Sequence, residues 1–432
     1  MLRRHWLPIL VAVAVGYFGL AAAPLLAALA SDAPAALALA GASRAETLRL
    51  QRVEGDLIPS SLVTAKAAPA PMAEESRPVY FSWALDANEA LSPPAPFRAE
   101  SREFWTQLDA AKAKQGWGFV PTAEGALVRI SLQGAGKNRS LRASDVQLRV
   151  DGAVRDSASV IEHLAEDADL KAVGAQFSDG TLVFQLAPGL VGKRIDVALP
   201  KSAAGALMHV LEPASPVVMT LSANAVQAVP GQRITLDAGF LDQAKARSAR
   251  KVAGLVTAPD GRSFDLEFRI DKAGRAVASF EIPADAGGGL EPWEIHAFGS
   301  AQLAKDTVLR DARTAVMVGL PTARFTGAAE VLQRDGGVVF QMPVETAAAG
   351  RYELRGTLYG SDASGVLKPM AIAHGAQVLG AGGGTLELHF TPDVLNPALG
   401  APYALRDLNL SDQSRMSLSE QRREALDIAQ LP

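Results

Sequence analysis

The chain has 432 residues, of which 48% are hydrophobic and 20% charged, and its formal net charge is −4. This balance is typical of a folded protein and excludes a nucleic-acid partner of the usual kind, because such binding needs concentrated basic surface. The sequence contains no cysteine, so each domain must be stable without structural disulfides and has to bury enough apolar surface by itself.

The first thirty residues have the pattern of an export signal. Two arginines precede an uncharged apolar stretch over residues 6–30, and its last three residues, Ala28-Leu29-Ala30, match the small-x-small pattern that signal peptidase cuts. We therefore predict a signal peptide over residues 1–30, cleavage before Ser31, and a periplasmic or secreted protein without a membrane span. A retained N-terminal anchor is the alternative, since the stretch exceeds the roughly 20 residues that cross a bilayer.

Residues 31–96 are rich in alanine and proline and are predicted to form a linker, because such a segment buries too little surface to offset its ordering entropy. One apolar and aromatic island, residues 79–85, interrupts it. We predict a strand there that returns to pair with the following domain. The alternative is a surface-exposed binding epitope, which is less favoured because exposed aromatic runs tend to aggregate.

Residues 97–212 are predicted to form a mixed α+β domain. The spacing of apolar residues predicts helices over Arg102–Ala113 and Ala158–Val173. Strands are predicted around them, near residues 126–132, 146–150, 181–186 and 195–199.

From Phe97 onward the chain is predicted to be mainly β. Four Asp-Gly pairs lie between apolar runs, and each predicts a tight hairpin because glycine supplies the positive φ that such turns require: Asp151-Gly152, Asp179-Gly180, Asp260-Gly261 and Asp335-Gly336. Strict alternation over residues 264–270, 352–358 and 386–390 predicts antiparallel strands with one buried and one wet face.

The spacing of the strands divides this part of the chain into three, of which residues 97–212 are the first. Residues 213–320 contain about six or seven strand candidates with frequent turns, which is typical of an immunoglobulin-like antiparallel β-sandwich. Residues 321–432 repeat the pattern and predict a second sandwich. Ser417 and Glu420 form a capping box, which predicts that a short C-terminal helix closes the chain.

Three segments resemble an uncharacterised exported bacterial family, catalogued as a domain of unknown function: residues 100–105, 122–130 and 400–408. The resemblance implies an N-terminal mixed domain followed by immunoglobulin-like domains. It implies no activity and no functional residues.

Glu294 and His296 are the best-placed polar pair in the sequence. They lie two apart on a predicted strand, so both side chains point to one face about 7 Å apart, and could share a metal or act as acid and base. Neither has a third partner that the sequence fixes, and the other histidines of the mature chain, His163, His209, His374 and His389, show no metal-binding spacing. We therefore predict no catalytic, cofactor-binding or metal-binding residue and no cofactor.

These observations favour a non-catalytic binding or structural module of the bacterial cell envelope or exterior, with an envelope or extracellular protein or glycan as its partner. The alternative is a hydrolase or hydrolase subunit that acts on polysaccharide or peptide, with a site between the first two folded domains. Trp83, Trp105 and Trp117 in a row on one face would favour sugar stacking. Two carboxylates about 5 to 10 Å apart in a cleft would favour glycoside hydrolysis.

Overall fold

The computed structural model describes residues 43–65, 73, 76–89, 91, 97–133, 140–175, 177, 179–286, 291–303 and 306–432. The predicted signal peptide and its cleavage site lie outside these residues. Across the described ranges the fold is mainly β, and the strands pair antiparallel apart from one short parallel pair, at Gln227–Ala228. None of the helices in this part of the chain has the length and apolar character needed to cross a membrane.

Two strands lie within the segment that the sequence predicts to be a linker: β1 (Ser43–Arg49) and β2 (Val79–Ala84). Strand β1 pairs with residues 328–333, and β2 pairs with residues 371–376. The strand predicted over residues 79–85 therefore exists, but the prediction that it pairs with the following domain is wrong. Its partner belongs to the C-terminal region, which residues 50–63 also contact through backbone hydrogen bonds, with Leu50 and Leu57 buried.

The next region, residues 98–211, folds around an apolar core that includes Phe104, Leu148 and Phe184. Its elements are β3 (Arg98–Ser101), β4 (Glu103–Leu108), α1 (Ala110–Gln115), β5 (Trp117–Phe119), β6 (Leu127–Leu132), a 3₁₀ turn (Ala143–Asp145), β7 (Gln147–Val150), β8 (Ala153–Arg155), α2 (Ser157–Val160), β9 (Ile161–Ala165), α3 (Asp167–Ala172), β10 (Leu182–Leu186), β11 (Ile195–Ala198) and β12 (Ala206–Leu211). A four-stranded sheet, in the order β5-β11-β7-β8, packs against strands β4-β12-β6-β10-β9.

Both helix predictions in this region are largely wrong. In the first, Glu103–Leu108 is a strand that pairs with β12, and the helix begins only after Asp109, whose side chain caps Lys112 N. In the second, Ile161–Ala165 pairs with β10 and splits the predicted helix into α2 and α3. In both cases pairing within a sheet overrides helical propensity, which is a weak local preference.

The middle region has its own core, which contains Phe240, Trp293 and Ile295. Its strands are β13 (Val217–Ala223), β14 (Gln227–Ala228), β15 (Arg233–Asp242), β16 (Lys245–Arg247), β17 (Ala249–Thr257), β18 (Ser263–Glu267), β19 (Arg269–Ile270), β20 (Ala276–Glu281), β21 (Trp293–Leu303) and β22 (Asp306–Val318). One sheet has the order β19-β20-β15-β13-β3, and the other continues through β22 into β4. A single ten-stranded sheet therefore joins the middle region to the one before it.

The C-terminal region consists of two five-stranded sheets. Its strands are β23 (Ala323–Phe325), β24 (Ala328–Arg334), β25 (Gly337–Thr346), β26 (Gly350–Ser361), β27 (Leu367–Leu379), β28 (Gly384–Phe390), β29 (Gly400–Asp412) and β30 (Ser417–Ile428), with a 3₁₀ turn at Pro392–Val394. The first sheet contains β1-β24-β25-β23 with β28 beside β25, and the second has the order β2-β27-β26-β29-β30. Tyr352, Phe340 and Phe390 are buried between them.

The predicted C-terminal helix is wrong, because Ser417–Ile428 is strand β30 and pairs with β29. The register of this pair shifts twice, at Leu405/Arg406 and at Leu410/Ser411, which hides the period-two pattern of a strand. Glu420, read from the sequence as a capping residue, is buried and accepts a hydrogen bond from Phe325 N.

Three of the four Asp-Gly pairs close hairpins, namely β7–β8, β17–β18 and β24–β25. The fourth, Asp179-Gly180, connects α3 to β10 instead. The alternation over residues 386–390 is present as predicted. Over residues 352–358 it holds as far as Arg355 and fails at Thr357, which is buried where the pairing of β26 with β29 shifts register. Over residues 264–270 it fails at Ile270, which is 42% exposed, because the chain leaves one sheet after Glu267 and joins the opposite one.

Candidate functional site

The junction between the first two regions carries a buried ion pair. Arg310 of β22 and Glu212, which follows β12, are 0% and 1% exposed, and their Nη2 and Oε2 atoms lie 2.6 Å apart. The guanidinium also donates to Val217 O, Ser215 Oγ and Thr122 Oγ1. These groups are enclosed and mutually paired, so we assign them to holding the two regions together.

A second cluster of the junction contains His209. Its Nε2 lies 2.8 Å from Glu103 Oε2, and its ring stacks on the Trp105 ring with centroids 4.1 Å apart. The Arg129 guanidinium lies 4.3 Å from the centroid of the same Trp105 ring. Asp311 accepts a hydrogen bond from Trp105 N. The residues that face His209 are thus Glu103, Arg129 and Asp311.

Burial lowers the pKa of His209 below its ordinary value of 6.5, although Glu103 opposes this shift. Below pH 6.5 the unfolded chain therefore takes up a proton that the folded chain rejects, and stability falls as the pH falls toward the folded-state pKa. We expect urea unfolding between pH 8 and 5 to show a loss from this group of at most about 1.4 kcal/mol per pH unit. His209→Gln should remove that part of the slope; an unchanged slope would contradict the assignment.

The pair selected from the sequence, Glu294 and His296, does not converge on a common partner. Glu294 forms an ion pair with Arg313 at 3.3 Å, whereas His296 Nε2 lies 3.3 Å from Asp311 Oδ2. Among the described residues, no group of three or more His, Asp or Glu side chains is arranged to hold a metal ion. That Glu294 and His296 carry no activity stays a prediction.

The three tryptophans do not form a row. Trp105 lies under Arg129, and Trp117 packs against Phe104 and Phe119. Of the three, Trp83 alone is strongly exposed, at 44%, and it lies on β2, which belongs to a sheet of the C-terminal region. The condition that would favour sugar stacking by these three residues is therefore not met.

Strands β2 and β27 carry a different aromatic group, which we call the aromatic strip: Phe81, Trp83 and His374. Phe81 and Trp83 are 48% and 44% exposed and lie on one face because they are two residues apart. Their ring planes differ by 10°, with centroids 5.5 Å apart, and both rings stack against His374 of β27, at 5.0 and 5.2 Å. The strip is an ordered apolar surface at the edge of the sheet.

The other face of β2 holds the strip in place. Tyr80 stacks on His389 of β28 at 4.0 Å with an interplanar angle of 3°. Glu387 accepts from His389 and from Gln341, and the hydrogen bond from His389 is the main reason that the pKa of Glu387 is lowered to about 2. Its carboxylate thus stays ionised across the neutral and mildly acidic range, and its contribution to stability is lost only as the pH falls below about 4.5 toward 2.

One register row crosses all five strands of the sheet, which we call the central row. Successive partners are Phe81, His374, Arg355, Asn409 and Gln421. Directly paired residues in an antiparallel sheet place their side chains on the same face. The strip at one edge is therefore continuous with polar side chains that run to the other edge.

A pocket of about 500 Å³, which we call the groove, lies over this polar part. Arg355, Asn409 and Gln421 of the central row line it, together with Glu353 and Gln413. Gln227 of β14 also lines it, so the groove lies between the C-terminal sheet and the middle region.

Glu353 connects the strip to the groove. Its carboxylate accepts from His374 Nδ1 at 2.6 Å and from Gln413 Nε2 at 3.0 Å. The hydrogen bond from His374 is the main cause that lowers the pKa of Glu353 below its ordinary value. The result is an ionised, hydrogen-bonded group that fixes the orientation of one ring of the strip.

Asn409 differs from the other residues of the groove. It is 7% exposed, and its Oδ1 is buried and has no hydrogen-bond partner in the part of the chain that is described. An unpaired buried acceptor is costly in a folded protein. Only the aromatic run of β2 signals this site in the sequence. The residues of the groove come from four other strands and from the turn between β29 and β30.

The fold and this surface define a class: a mainly β, multidomain protein with an exposed aromatic and polar face on its last sheet. The chain belongs to the DUF4785 family, whose members are described as domains of unknown function. The N-terminal domain model of the family matches residues 71–212, and its C-terminal domain model matches residues 322–429. The resemblance to a family of unknown function is thereby confirmed.

A crystal structure of a DUF4785 family protein from Legionella pneumophila is similar over 86% of this chain and 99% of its own, with 15% identity and a TM-score of 0.60. This similarity concerns the fold alone. A trypsin-activated alpha-2-macroglobulin from Escherichia coli matches 75% of this chain and 24% of its own, at 12% identity and a TM-score of 0.22, which is too low to support an argument. No curated protein matches the chain.

Proposed function

We propose that this protein is a non-catalytic binding module of the bacterial cell envelope or exterior, and that it binds its partner through the outer face of sheet β2-β27-β26-β29-β30. The observation that carries the proposal is the aromatic strip. Two large rings, 48% and 44% exposed, are aligned and fixed on a sheet edge and are continuous with a polar groove.

The cost of leaving aromatic side chains exposed supports a binding role for this surface. Exposed apolar patches and exposed aromatic edge strands promote aggregation, so folded proteins tolerate them mainly where a partner covers them. The strip is also preorganised. Tyr80 stacks on His389 and so holds β2, and the Glu353 carboxylate holds the His374 ring through a hydrogen bond. A preorganised surface loses little entropy on binding.

The export part of the proposal is supported by the sequence of residues 1–30, with its arginines, apolar stretch and cleavage pattern. The hydrolase alternative gains no support from the junction of the first two regions. The carboxylates there, Glu103, Glu212 and Asp311, are each at most 9% exposed and are engaged by neighbouring groups.

Co-sedimentation of the purified full chain with insoluble bacterial envelope preparations tests the proposal. The double variant Phe81→Ser/Trp83→Ser should lose most of the bound fraction. Its free energy of unfolding should fall by about 1 to 3 kcal/mol because the ring contacts with His374 are lost, and a cooperative urea transition shows that the variant is folded.

Phe298→Ser is the matched control, because Phe298 is 40% exposed but lies on β21, away from the proposed face. It should bind like the unmodified protein. Equal binding of the double variant and the unmodified protein would contradict the proposed function.

A further inference from the structure

We infer that the aromatic strip and the groove together bind a neutral oligosaccharide chain that lies across the five strands of the C-terminal sheet. This inference rests on the proposed function, since it names the ligand class of the same face.

The strip suits a ligand that is apolar on its ring faces and polar at its edges. Phe81 and Trp83 are about half exposed, with ring planes within 10° of each other, and they lie on the surface of the sheet rather than in an enclosed apolar pocket. A pyranose ring has C–H groups on its faces and hydroxyl groups around its rim, so it can stack on an aromatic ring while its rim stays hydrogen-bonded. A lipid chain or a large apolar side chain would need an enclosed pocket instead.

The groove supplies groups that match hydroxyls. Gln227, Asn409, Gln413 and Gln421 line it, and each carboxamide can both donate and accept hydrogen bonds, as a hydroxyl does. The charged residues of the lining are mixed in sign, since Arg355 lies beside Glu353 and Asp412. A polyanion would meet these carboxylates, so a neutral ligand fits the groove better.

Asn409 supplies an independent observation. It stands in the middle of the central row with a buried Oδ1 that accepts no hydrogen bond from any described residue. A donor from a ligand would remove the cost of this unpaired acceptor. Asn409 also lines the groove, so a ligand chain that crosses the sheet there would lie beside this residue.

The dimensions favour a chain over a single sugar. Adjacent strands are about 4.8 Å apart, so the central row from Phe81 to Gln421 spans roughly 19 Å. The strip lies at one end of this row, and the groove of about 500 Å³ lies over the rest. Simultaneous use of both requires an extended ligand.

Calorimetric titration of the full chain tests this inference. The probes are neutral tetrasaccharides of glucose, mannose, galactose and N-acetylglucosamine, with oligogalacturonate and an uncharged peptide of similar length for comparison. We expect at least one neutral series to bind, and Trp83→Ala to weaken it about tenfold or more through the lost stacking surface.

Asn409→Leu keeps the approximate shape of the side chain and removes the unpaired acceptor. It should weaken the same tetrasaccharide while the unfolding midpoint in urea stays at or above that of the unmodified protein, because no internal hydrogen bond of Oδ1 is lost. A residue with only a structural role would lower the midpoint instead. Phe298→Ala should change neither value.

Binding of oligogalacturonate or peptide alone, or of none of the probes, would overturn the ligand class. In that case the proposed function stands as long as envelope binding still depends on Phe81 and Trp83. Tetrasaccharide binding that is unaffected by Trp83→Ala would overturn the location. Envelope binding that is indifferent to both aromatic residues would overturn the proposed function itself.

Discussion

Replacing Arg310 with alanine is expected to lower the free energy of unfolding by about 3 to 5 kcal/mol. The substitution leaves Glu212, which is 1% exposed, as a buried carboxylate without its cation. It also removes the donors to Val217 O and Ser215 Oγ, which tie the middle region to the junction. Urea unfolding followed by circular dichroism measures the loss.

A double substitution separates the ion pair from general packing. Arg310→Leu together with Glu212→Leu leaves no buried charge, so it should cost less than the sum of the two single changes. Arg324→Ala is a control at an exposed pair, since Arg324 and Glu345 are 40% and 47% exposed, and it should cost no more than about 1 kcal/mol. Additive single losses, or equal losses at both arginines, would contradict the role assigned to Arg310.

Gly375→Ala is expected to destabilise the C-terminal region by about 1 to 3 kcal/mol. A Cβ at this position of β27 would overlap the carbonyl oxygen of Glu387 in β28 and would lie 3.2 Å from the ring of Tyr80. Because the clash involves backbone, the two sheets have to move apart and β2 moves with them. Unfolding in urea should show the loss, and envelope binding through the aromatic strip should weaken in parallel.

Gly380→Ala is the matched control, because Gly380 directly follows β27 and a Cβ there would meet no atom within 4 Å. Its effect should stay within about 0.5 kcal/mol. If Gly375→Ala were as mild as this control, the close approach of β27 to β28, and with it the placement of the strip, would be wrong.

The parts of the fold that the sequence predicts correctly are those where one strand face is buried and the register is regular. Leu386, Leu388 and Phe390 alternate with polar residues because one side of β28 covers the core and the other carries the part-buried Glu387 and His389. The hairpin at Asp335-Gly336 is readable because both residues adopt positive φ, +52° and +77°, which few residue pairs tolerate.

The errors occur where tertiary contacts decide. Glu420 and Arg422 look like surface residues of a helix, yet both are buried and paired with each other in β30. Glu103–Leu108 is strand because β12 and β22 flank it in the ten-stranded sheet. Pairing between residues a hundred or two hundred positions apart leaves no local periodicity to detect.

The candidate site was predictable only in part for the same reason. Residues 79–85 attract notice because an aromatic run is rare in an Ala- and Pro-rich segment. The central row, however, joins Phe81 to Asn409 through strands that are distant along the chain, and strand order and bulges set its register. Strand order and bulges are properties of the folded sheets rather than of any short segment.

Amide hydrogen exchange of the full chain, with and without soluble polysaccharide extracted from bacterial envelopes, tests the central claim most directly. Binding at the outer face of the C-terminal sheet should add protection in Val79–Ala84, in residues 372–376 and in residues 409–421, and should leave β5, β7 and β11 of the first region unchanged. Added protection confined to the first region, or spread evenly over the chain, would contradict a binding face built from the aromatic strip and the groove.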